Sequence, residues 1–379
     1  MTKQRPQPPR VGAWPLDDEI TELRVSGTDQ TYAVASSPHV QIIGTGPGCD
    51  VVLRDRTRTV AARHAKLTRR QARWLIRALD EADPSGLSRD RVPLAEFPLV
   101  PGVEIGLGEV TLIAESERSR VLRRVLQRLI GFDAPARAQV DRALHTVLTT
   151  ASGRGALTLY GKGDLAAVAH MLHRHTLHGR PFVRWERRTG DDPGGALAAA
   201  AGGTLCVSVN DLSRGFERIV ERRRQATTRV QLIILVTAIR RLRPLIATAA
   251  DPLVLTPLAQ RKHECLRIIH DLAQDAAAAL GIAPSRLSEA DLRTILRFDA
   301  ATLPAIERAT LRIAALRHWD YFSRAASALG MTHAALMEWA EPRGIAVTHA
   351  PASPRRPAGK RVDAIASPRG KRRPRAAAR

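Results

Sequence analysis

The chain has 379 residues, of which 44% are hydrophobic, and a formal net charge of +22 at pH 7. This length allows two or three domains with buried cores. No apolar run approaches the ~18 residues that a membrane helix needs, and the polar, proline-rich start has no apolar signal segment. Three cysteines, widely spaced and without a C-x-x-C pair, are typical of free thiols in a reducing compartment. We therefore expect a cytoplasmic protein rather than a membrane or secreted one.

The positive charge is unevenly distributed along the chain. Residues 117–262 carry 25 basic and 11 acidic side chains, a net +14, and residues 351–379 carry 10 and 1, a net +9. Residues 1–116 are neutral. This distribution favours a nucleic acid or another polyanion as partner.

Residues 20–116 show short alternating runs broken by Gly, Pro and Asp, a pattern that predicts a β-sandwich. Residues 1–19 before them are expected to be disordered. The segments 43–44 (Ile-Gly), 49–53, 64–65 (His-Ala) and 99–113 follow one another in an order that resembles the forkhead-associated (FHA) domain. That resemblance implies a phosphothreonine-binding sandwich.

The loops that would bind phosphate depart from the FHA pattern. Gly44-Thr45 stands where the family has Gly-Arg, Ala-Ala-Arg-His at 61–64 where it has Ser-Arg-x-His, and Ser85-Gly86 where it has Asn-Gly. A phosphate needs charge-assisted donors, and most of the family's donors are missing. The remaining phosphopeptide candidates are Thr45, Arg63, His64 and Ser85, and we favour protein docking over phosphothreonine binding.

Residues 117–150 read as two helices, the first amphipathic, that link the sandwich to an α/β core at 151–254. In this core, predicted strands at 155–161, 180–183, 202–207 and 230–236 alternate with helices, which indicates a mainly parallel sheet. With Gly-Gly-Thr-Leu at 202–205, this order resembles the AAA+ ATPase core of bacterial enhancer-binding proteins, which activate sigma-54 RNA polymerase. Residues 255–299 then resemble their helical lid.

The chemistry of an ATPase is absent from this core. A P-loop needs G-x-x-x-x-G-K-[ST], whereas residues 160–164 read Tyr-Gly-Lys-Gly-Asp. Ser208-Val209 replace the family's Asp-Glu, and no Gly-Ala-Phe-Thr-Gly-Ala loop for sigma-54 is present. Only Lys162 and Asp211 are left as nucleotide-binding candidates. We expect no ATPase activity, no catalytic residue and no cofactor, and we read His170 and His173 as part of a solvated helix end rather than as metal ligands.

Residues 300–350 predict a helix-turn-helix. Helices are expected over 303–317 and 321–329, a turn at Gly330-Met331, and a third helix that Thr332 caps and Pro342 ends. The run from Ala325 to Thr332 with Leu336 resembles the Fis-type DNA-binding domain. An ordinary three-helix packing element is the alternative, because the third helix contains no Lys or Arg.

The DNA-binding candidates come from this region and from the tail at 351–379, which is expected to be disordered. They are Thr332, His333, Arg343 and Arg324, with Lys371, Arg372 and Arg373 as phosphate-neutralising groups of the tail.

The sequence as a whole predicts a multidomain chain: an all-β FHA-like sandwich, an α/β AAA+-like core with a helical lid, an all-α helix-turn-helix and a basic tail. The hypothesis is a DNA-binding transcriptional regulator of the bacterial nucleoid. It would be dimeric on two half-sites, would dock a protein partner through its sandwich, and would lack ATP turnover; contact with RNA polymerase stays open. A phosphopeptide-binding adaptor and an ATP-dependent activator that uses noncanonical residues are the alternatives.

Overall fold

The structure is a computed structural model of the full chain. It describes residues 18–35, 37, 39–70, 73–79, 86–152, 156–186, 193–209, 229–238, 252–284, 287–319 and 321–345. The chain divides into two compact units, residues 1–314 and residues 315–379.

The first third is a sandwich of two sheets, as the sequence predicts. The six-stranded sheet has the order β2-β1-β11-β10-β7-β8 and the five-stranded sheet the order β4-β3-β5-β6-β9. The strands are β1 Glu22–Val25, β2 Thr31–Ala33, β3 Val40–Gly44, β4 Val51–Val52, β5 Ala65–Arg70, β6 Arg73–Ala78, β7 Leu87–Arg89, β8 Val92–Pro93, β9 Glu96–Pro98, β10 Glu104–Leu107 and β11 Val110–Glu115. Alternate side chains such as Leu67, Trp74 and Ile76 fill the space between the sheets.

Helix α1 (Glu117–Ile130) follows β11 directly through a capping box on Ser116. Helix α2 (Ala134–Ala151) then packs against α1. A buried ion network joins these helices to the sandwich. The Nε of Arg24 lies 2.8 Å from Glu115 Oε1 and its Nη2 lies 2.6 Å from Asp141 Oδ1 in α2. The sandwich and α2 therefore share a charged, buried contact.

The α1 arginines also face carboxylates of the sandwich. Arg118 pairs with Asp18, Arg120 with Glu22, and Arg123 with Glu115. Part of the basic excess of residues 117–262 is therefore paired with carboxylates of the chain itself. The net charge of this segment overstates the charge that it offers to a polyanion.

The central layer is a parallel sheet with the order β13-β14-β15-β12-β16. Its elements are β12 Ala156–Gly161, α3 Leu165–Thr176, β13 Phe182–Trp185, α4 Pro193–Ala199, β14 Thr204–Ser208, β15 Gln231–Val236 and β16 Leu253–Leu255. The four predicted strands are present, and β16 is a fifth strand that the sequence analysis does not predict; it lies where the predicted core ends and the predicted lid begins. A strand of three residues is too short to show a periodicity, and β16 is identified only by its pairing with β12.

The C-terminal helices are α5 Cys265–Leu280, α6 Glu289–Phe298, α7 Leu303–His318, α8 Phe322–Ala328 and α9 His333–Ala340. Helices α7, α8 and α9 agree with the predicted helices to within two residues, and α5 and α6 lie in residues 255–299, where a helical segment is expected. In the described residues no helix is long and apolar enough to cross a membrane.

Candidate functional site

In the described part of the chain, candidate places for a ligand are the loop edge of the sandwich, the carboxyl edge of the parallel sheet, and helices α8 and α9. At the sandwich edge, the loop after β3 touches the loop before β5. A Cβ on Gly44 would lie 2.2 Å from the carbonyl oxygen of Ala62, so this close approach requires glycine. His64 is 1% exposed. Its Nδ1 accepts the N–H of Ala61 at 3.1 Å, which leaves Nε2 to donate to the Gly86 carbonyl at 3.0 Å.

The loop between β4 and β5 carries alternate arginines around one aspartate. Asp55 accepts the backbone N–H groups of Thr57, Thr59 and Val60 at 2.6–2.8 Å. The hydroxyl of Thr57 and these amides hold the pKa of Asp55 well below its usual value. Asp55 therefore stays ionised and folds the loop around itself. The exposed side chains of this ordered loop include Arg54, Arg56 and Arg58.

The predicted phosphopeptide residues are only partly assembled at this edge. Thr45 is half-buried, and its hydroxyl donates to the Val60 carbonyl at 3.4 Å. Arg63 is exposed, and His64 holds two loops together from inside. Ser85 lies outside the described residues. The arginines at 54, 56 and 58 were missed, although the alternation Arg-Asp-Arg-Thr-Arg-Thr beside an Asx-turn residue is a signal that could have identified them.

At the carboxyl edge of the parallel sheet lies a pocket of about 260 Å³ between the ends of β12 and β16. Open α/β sheets bind ligands at this edge. The pocket is lined by residues 162–165 after β12, 255–258 at the end of β16, and 301–304, with Arg128 and Arg261.

The connection from β12 to α3 is shorter than the P-loop pattern G-x-x-x-x-G-K-[ST]. Only Lys162, Gly163 and Asp164 separate the strand from the helix. The carboxylate of Asp164 caps α3 by accepting the N–H of Ala167 at 3.0 Å. The chain's own negative charge therefore occupies the helix N-terminus, the position that would otherwise attract a phosphate. Lys162 is exposed beside it, and Asp211 lies outside the described residues.

Two arginines that line this pocket are engaged in internal contacts. Arg261, 5% exposed, donates from Nη1 to the carbonyls of Arg128 at 3.1 Å and Leu129 at 2.9 Å, and from Nε to Glu264 at 2.8 Å. The Nη1 of Arg128 lies 2.5 Å from Asp275 Oδ2. Both guanidinium groups thus join α1 to the segment that begins the C-terminal helices.

The two histidines predicted to lie at a solvated helix end have different surroundings in the structure. His173 is buried; its Nδ1 lies 2.8 Å from the Thr204 hydroxyl and its Nε2 lies 3.1 Å from the Arg180 carbonyl. Burial lowers its pKa from 6.5. His173 faces the sheet because the apolar stripe of α3 includes its position, whereas His170 is exposed. Among the described residues no group of three or more His, Cys, Asp or Glu could hold a metal ion.

Helices α8 and α9 pack through small and apolar side chains. Ala325, Ala326 and Leu336 are at most 1% exposed. Gly330 has φ +64°, the left-handed conformation that this turn requires. Thr332 caps α9 by accepting the N–H of Ala335 at 3.2 Å.

The first turn of α9 is exposed, and its predicted DNA-binding residues have different surroundings. Thr332 and His333 lie in this turn. Arg324 is stacked 5.8 Å over Tyr321. Arg343 turns back, donates to the Trp339 carbonyl at 2.8 Å and stacks over its ring. Lys371, Arg372 and Arg373 lie outside the described residues.

No protein-family model and no curated protein matches the chain. Solved structures similar to it include an FHA domain studied for phosphothreonine-dependent interactions, at 25% identity over 25% of this chain and 95% of that one, with a TM-score of 0.23. The N-terminal FHA domain of Rad53p from S. cerevisiae, in complex with a phosphothreonine peptide, is 13% identical over 25% of this chain and 92% of that one (TM-score 0.23). NtrX from Brucella abortus, in complex with ATP, is 17% identical over 59% of this chain and 72% of that one (TM-score 0.31).

Proposed function

We propose that the chain is a DNA-binding transcriptional regulator that docks a protein partner through its sandwich and does not hydrolyse ATP. The observation that carries the proposal is the arrangement of α8, the left-handed turn at Gly330 and α9. Two helices joined in this way present the first turn of the second helix to the major groove. Here the first turn of α9 is exposed, while Leu336 and Ala340 of the same helix are buried.

The exposed turn offers polar and small side chains to base edges. Thr332 and His333 can donate or accept hydrogen bonds, and Ala334 and Ala335 leave room for the thymine methyl group. Residues 321–345 carry two arginines and two glutamates, so this segment supplies little charge attraction. Affinity then depends on phosphate contacts from elsewhere in the chain, for which the basic tail is the candidate.

Loss of ATP turnover is supported by the pocket at the carboxyl edge of the sheet. Three residues cannot wrap a triphosphate, and Asp164 adds a negative charge where the phosphates would lie. We expect no ATP turnover by the full chain, and no change on Lys162→Ala. Turnover that disappears with Lys162→Ala would instead establish the noncanonical activator.

A matched pair of substitutions tests DNA binding. Ala334 and Ala290 are both exposed and both occupy the second position of a capped helix, α9 and α6. Glutamate is favourable at such a position for the helix dipole, so neither change should unfold the protein. Fluorescence anisotropy on duplexes selected from a random pool should show at least a tenfold loss for Ala334→Glu and none for Ala290→Glu.

The same assay should be repeated across a salt series on the full chain and on a chain that ends at residue 350. This comparison separates sequence-specific recognition from nonspecific electrostatic attraction to DNA. We expect both to select one motif, with the shorter chain weaker and less sensitive to salt. Unselective binding that is lost with the tail, or equal losses for the two glutamate variants, would refute the proposal.

A second candidate, the phosphopeptide adaptor, is favoured by the arginine loop at the sandwich edge. Arg56 and Arg58 extend from the backbone that Asp55 orders, and a phosphate binds such guanidinium groups well. A phosphothreonine peptide library should then select ligands that Arg56→Ala and Arg58→Ala release. Arg293→Ala, an exposed change in α6, serves as the control. If no phosphorylated sequence is enriched, this candidate is wrong.

A further inference from the structure

The solvent side of the five-stranded sandwich sheet carries an apolar row that crosses four strands. The register places Val40 opposite Thr68, Thr68 opposite Leu75, and Leu75 opposite Pro98. With strands ~4.8 Å apart, the row is about 14 Å long. Val40 is 41% exposed, Pro98 is exposed, and Thr68 and Leu75 are half-buried.

Basic pairs flank this row on both sides. Lys66 stands directly opposite Arg77, and Arg70 directly opposite Arg73. Each pair lies two residues from the row, about 7 Å along the strands. Arg70, Arg73 and Arg77 are exposed and Lys66 is half-buried. Glu96, opposite Arg77, is the carboxylate at the margin of this face.

Like charges directly opposite each other destabilise an antiparallel pair. Glu96 stands opposite Arg77 and offsets part of this charge, but the two basic pairs leave these positions of the face with a basic excess. The core is made by the alternate residues Leu67, Trp74 and Ile76 on the other face. An anionic partner would balance the basic excess. The apolar row between the pairs requires that this partner also carry apolar groups, which a DNA backbone lacks.

We propose that this face binds an acidic amphipathic helix of another protein. The helical pitch of ~5.4 Å is close to the strand spacing, so that apolar side chains at i, i+3 or i+4, and i+7 can follow the row strand by strand. Acidic residues on the two borders of the helix then reach Lys66 and Arg77 on one side and Arg70 and Arg73 on the other. About 10 residues span the row. This surface is separate from the arginine loop at 54–58 and from α9.

The probe is a stapled peptide of about 15 residues with leucines on one face and glutamates on both borders, titrated into the full chain by fluorescence anisotropy. A peptide of the same composition, shuffled so that the leucines surround the helix, is the control ligand. We expect at least tenfold tighter binding of the amphipathic peptide, weakened by salt because charge pairs contribute.

Lys66→Glu provides a readout that a merely structural residue would not give. It converts a repulsive pair into an attractive one, so the urea midpoint should rise, while the affinity for the peptide should fall about tenfold. Leu75→Ser should also weaken binding. Arg293→Glu in α6 makes the same charge change at an exposed position outside this face and should leave peptide affinity unchanged.

The proposal is overturned if the shuffled peptide binds equally well, if Lys66→Glu leaves the affinity unchanged, or if Arg293→Glu weakens binding as much as Lys66→Glu. Sedimentation of the chain without peptide covers one further case. Self-association that Lys66→Glu abolishes would identify a second copy of the chain as the occupant and refute an acidic helix. None of these outcomes depends on DNA binding by α9.

Discussion

A ligand could bind at the loop edge of the sandwich and at the carboxyl edge of the parallel α/β layer, but these two edges use their basic side chains in opposite ways. In the sandwich, Asp55 orders a loop whose arginines are exposed. At the carboxyl edge of the α/β layer, Arg128 and Arg261 are buried against carboxylates and helix carbonyls. The position of each basic residue therefore matters more for ligand binding than the number of basic residues. A chain with a net charge of +22 can still have few basic groups available at one edge and many at another.

The largest effect is expected where a buried arginine of the sandwich is removed. Arg24→Ala leaves Glu115 and Asp141 buried, at 0% and 4% exposure, without their shared partner. We expect a loss of about 3–5 kcal/mol in the free energy of unfolding, measured by urea denaturation. Arg56→Ala, in the exposed loop, should change it by less than about 0.5 kcal/mol. Equal effects of the two changes would contradict the contrast between buried and exposed arginines.

A smaller effect should follow from filling the close contact at the sandwich edge. Gly44→Ala forces a methyl group against the Ala62 carbonyl oxygen, and we expect a cost of about 1–3 kcal/mol. Gly48→Ala in the same loop meets no atom within 4 Å and should be nearly neutral. Thermal unfolding of the two variants measures the difference. If Gly44→Ala leaves the stability unchanged, the loop can move away from the new methyl group, and the sandwich edge is not rigid at this contact.

The α/β layer should respond to pH through its buried histidine. The pKa of His173 is lowered by burial, so the unfolded chain binds the proton more tightly. The stability that comes from the neutral imidazole is present above about pH 6.5 and is lost as the pH falls below that value. His173→Gln should flatten this dependence in urea unfolding between pH 5 and 8. His175, whose pKa is also lowered by burial, should retain its own share, and an unchanged slope would refute the assignment.

The smallest perturbation compares the thiols of the two regions. Burial in β14 raises the pKa of Cys206 to about 12, whereas Cys49 is half-buried at the sandwich edge. A maleimide at neutral pH should modify Cys49 in the native protein and reach Cys206 only after unfolding. Mass spectrometry of the labelled peptides measures both rates. Labelling of Cys206 in the native protein at a rate like that of Cys49 would contradict this prediction and show that the α/β layer opens under native conditions.

The local elements were largely predictable because their signals are local. The apolar stripe of α1, the cap at Thr332 and the alternation in β6 each need only a few neighbouring residues. The loop that Asp55 orders could also have been recognised, because an Asp followed by alternating Arg and Thr predicts an Asx-type turn. The short strand β16 could not, since three residues carry no period and only the pairing with β12 identifies it.

The sequence by itself therefore determined which segments fold as strands and helices, where several of them end, and that the P-loop residues are missing. Only the tertiary structure decided which charged side chains pair with other groups of the protein and which remain exposed. Arg24 and Asp141 are 117 residues apart, and Lys66 faces Arg77 only because of the strand register. The reason is physical: periodicity reports which side of an element is buried, whereas the partner of a side chain depends on which distant element packs against it.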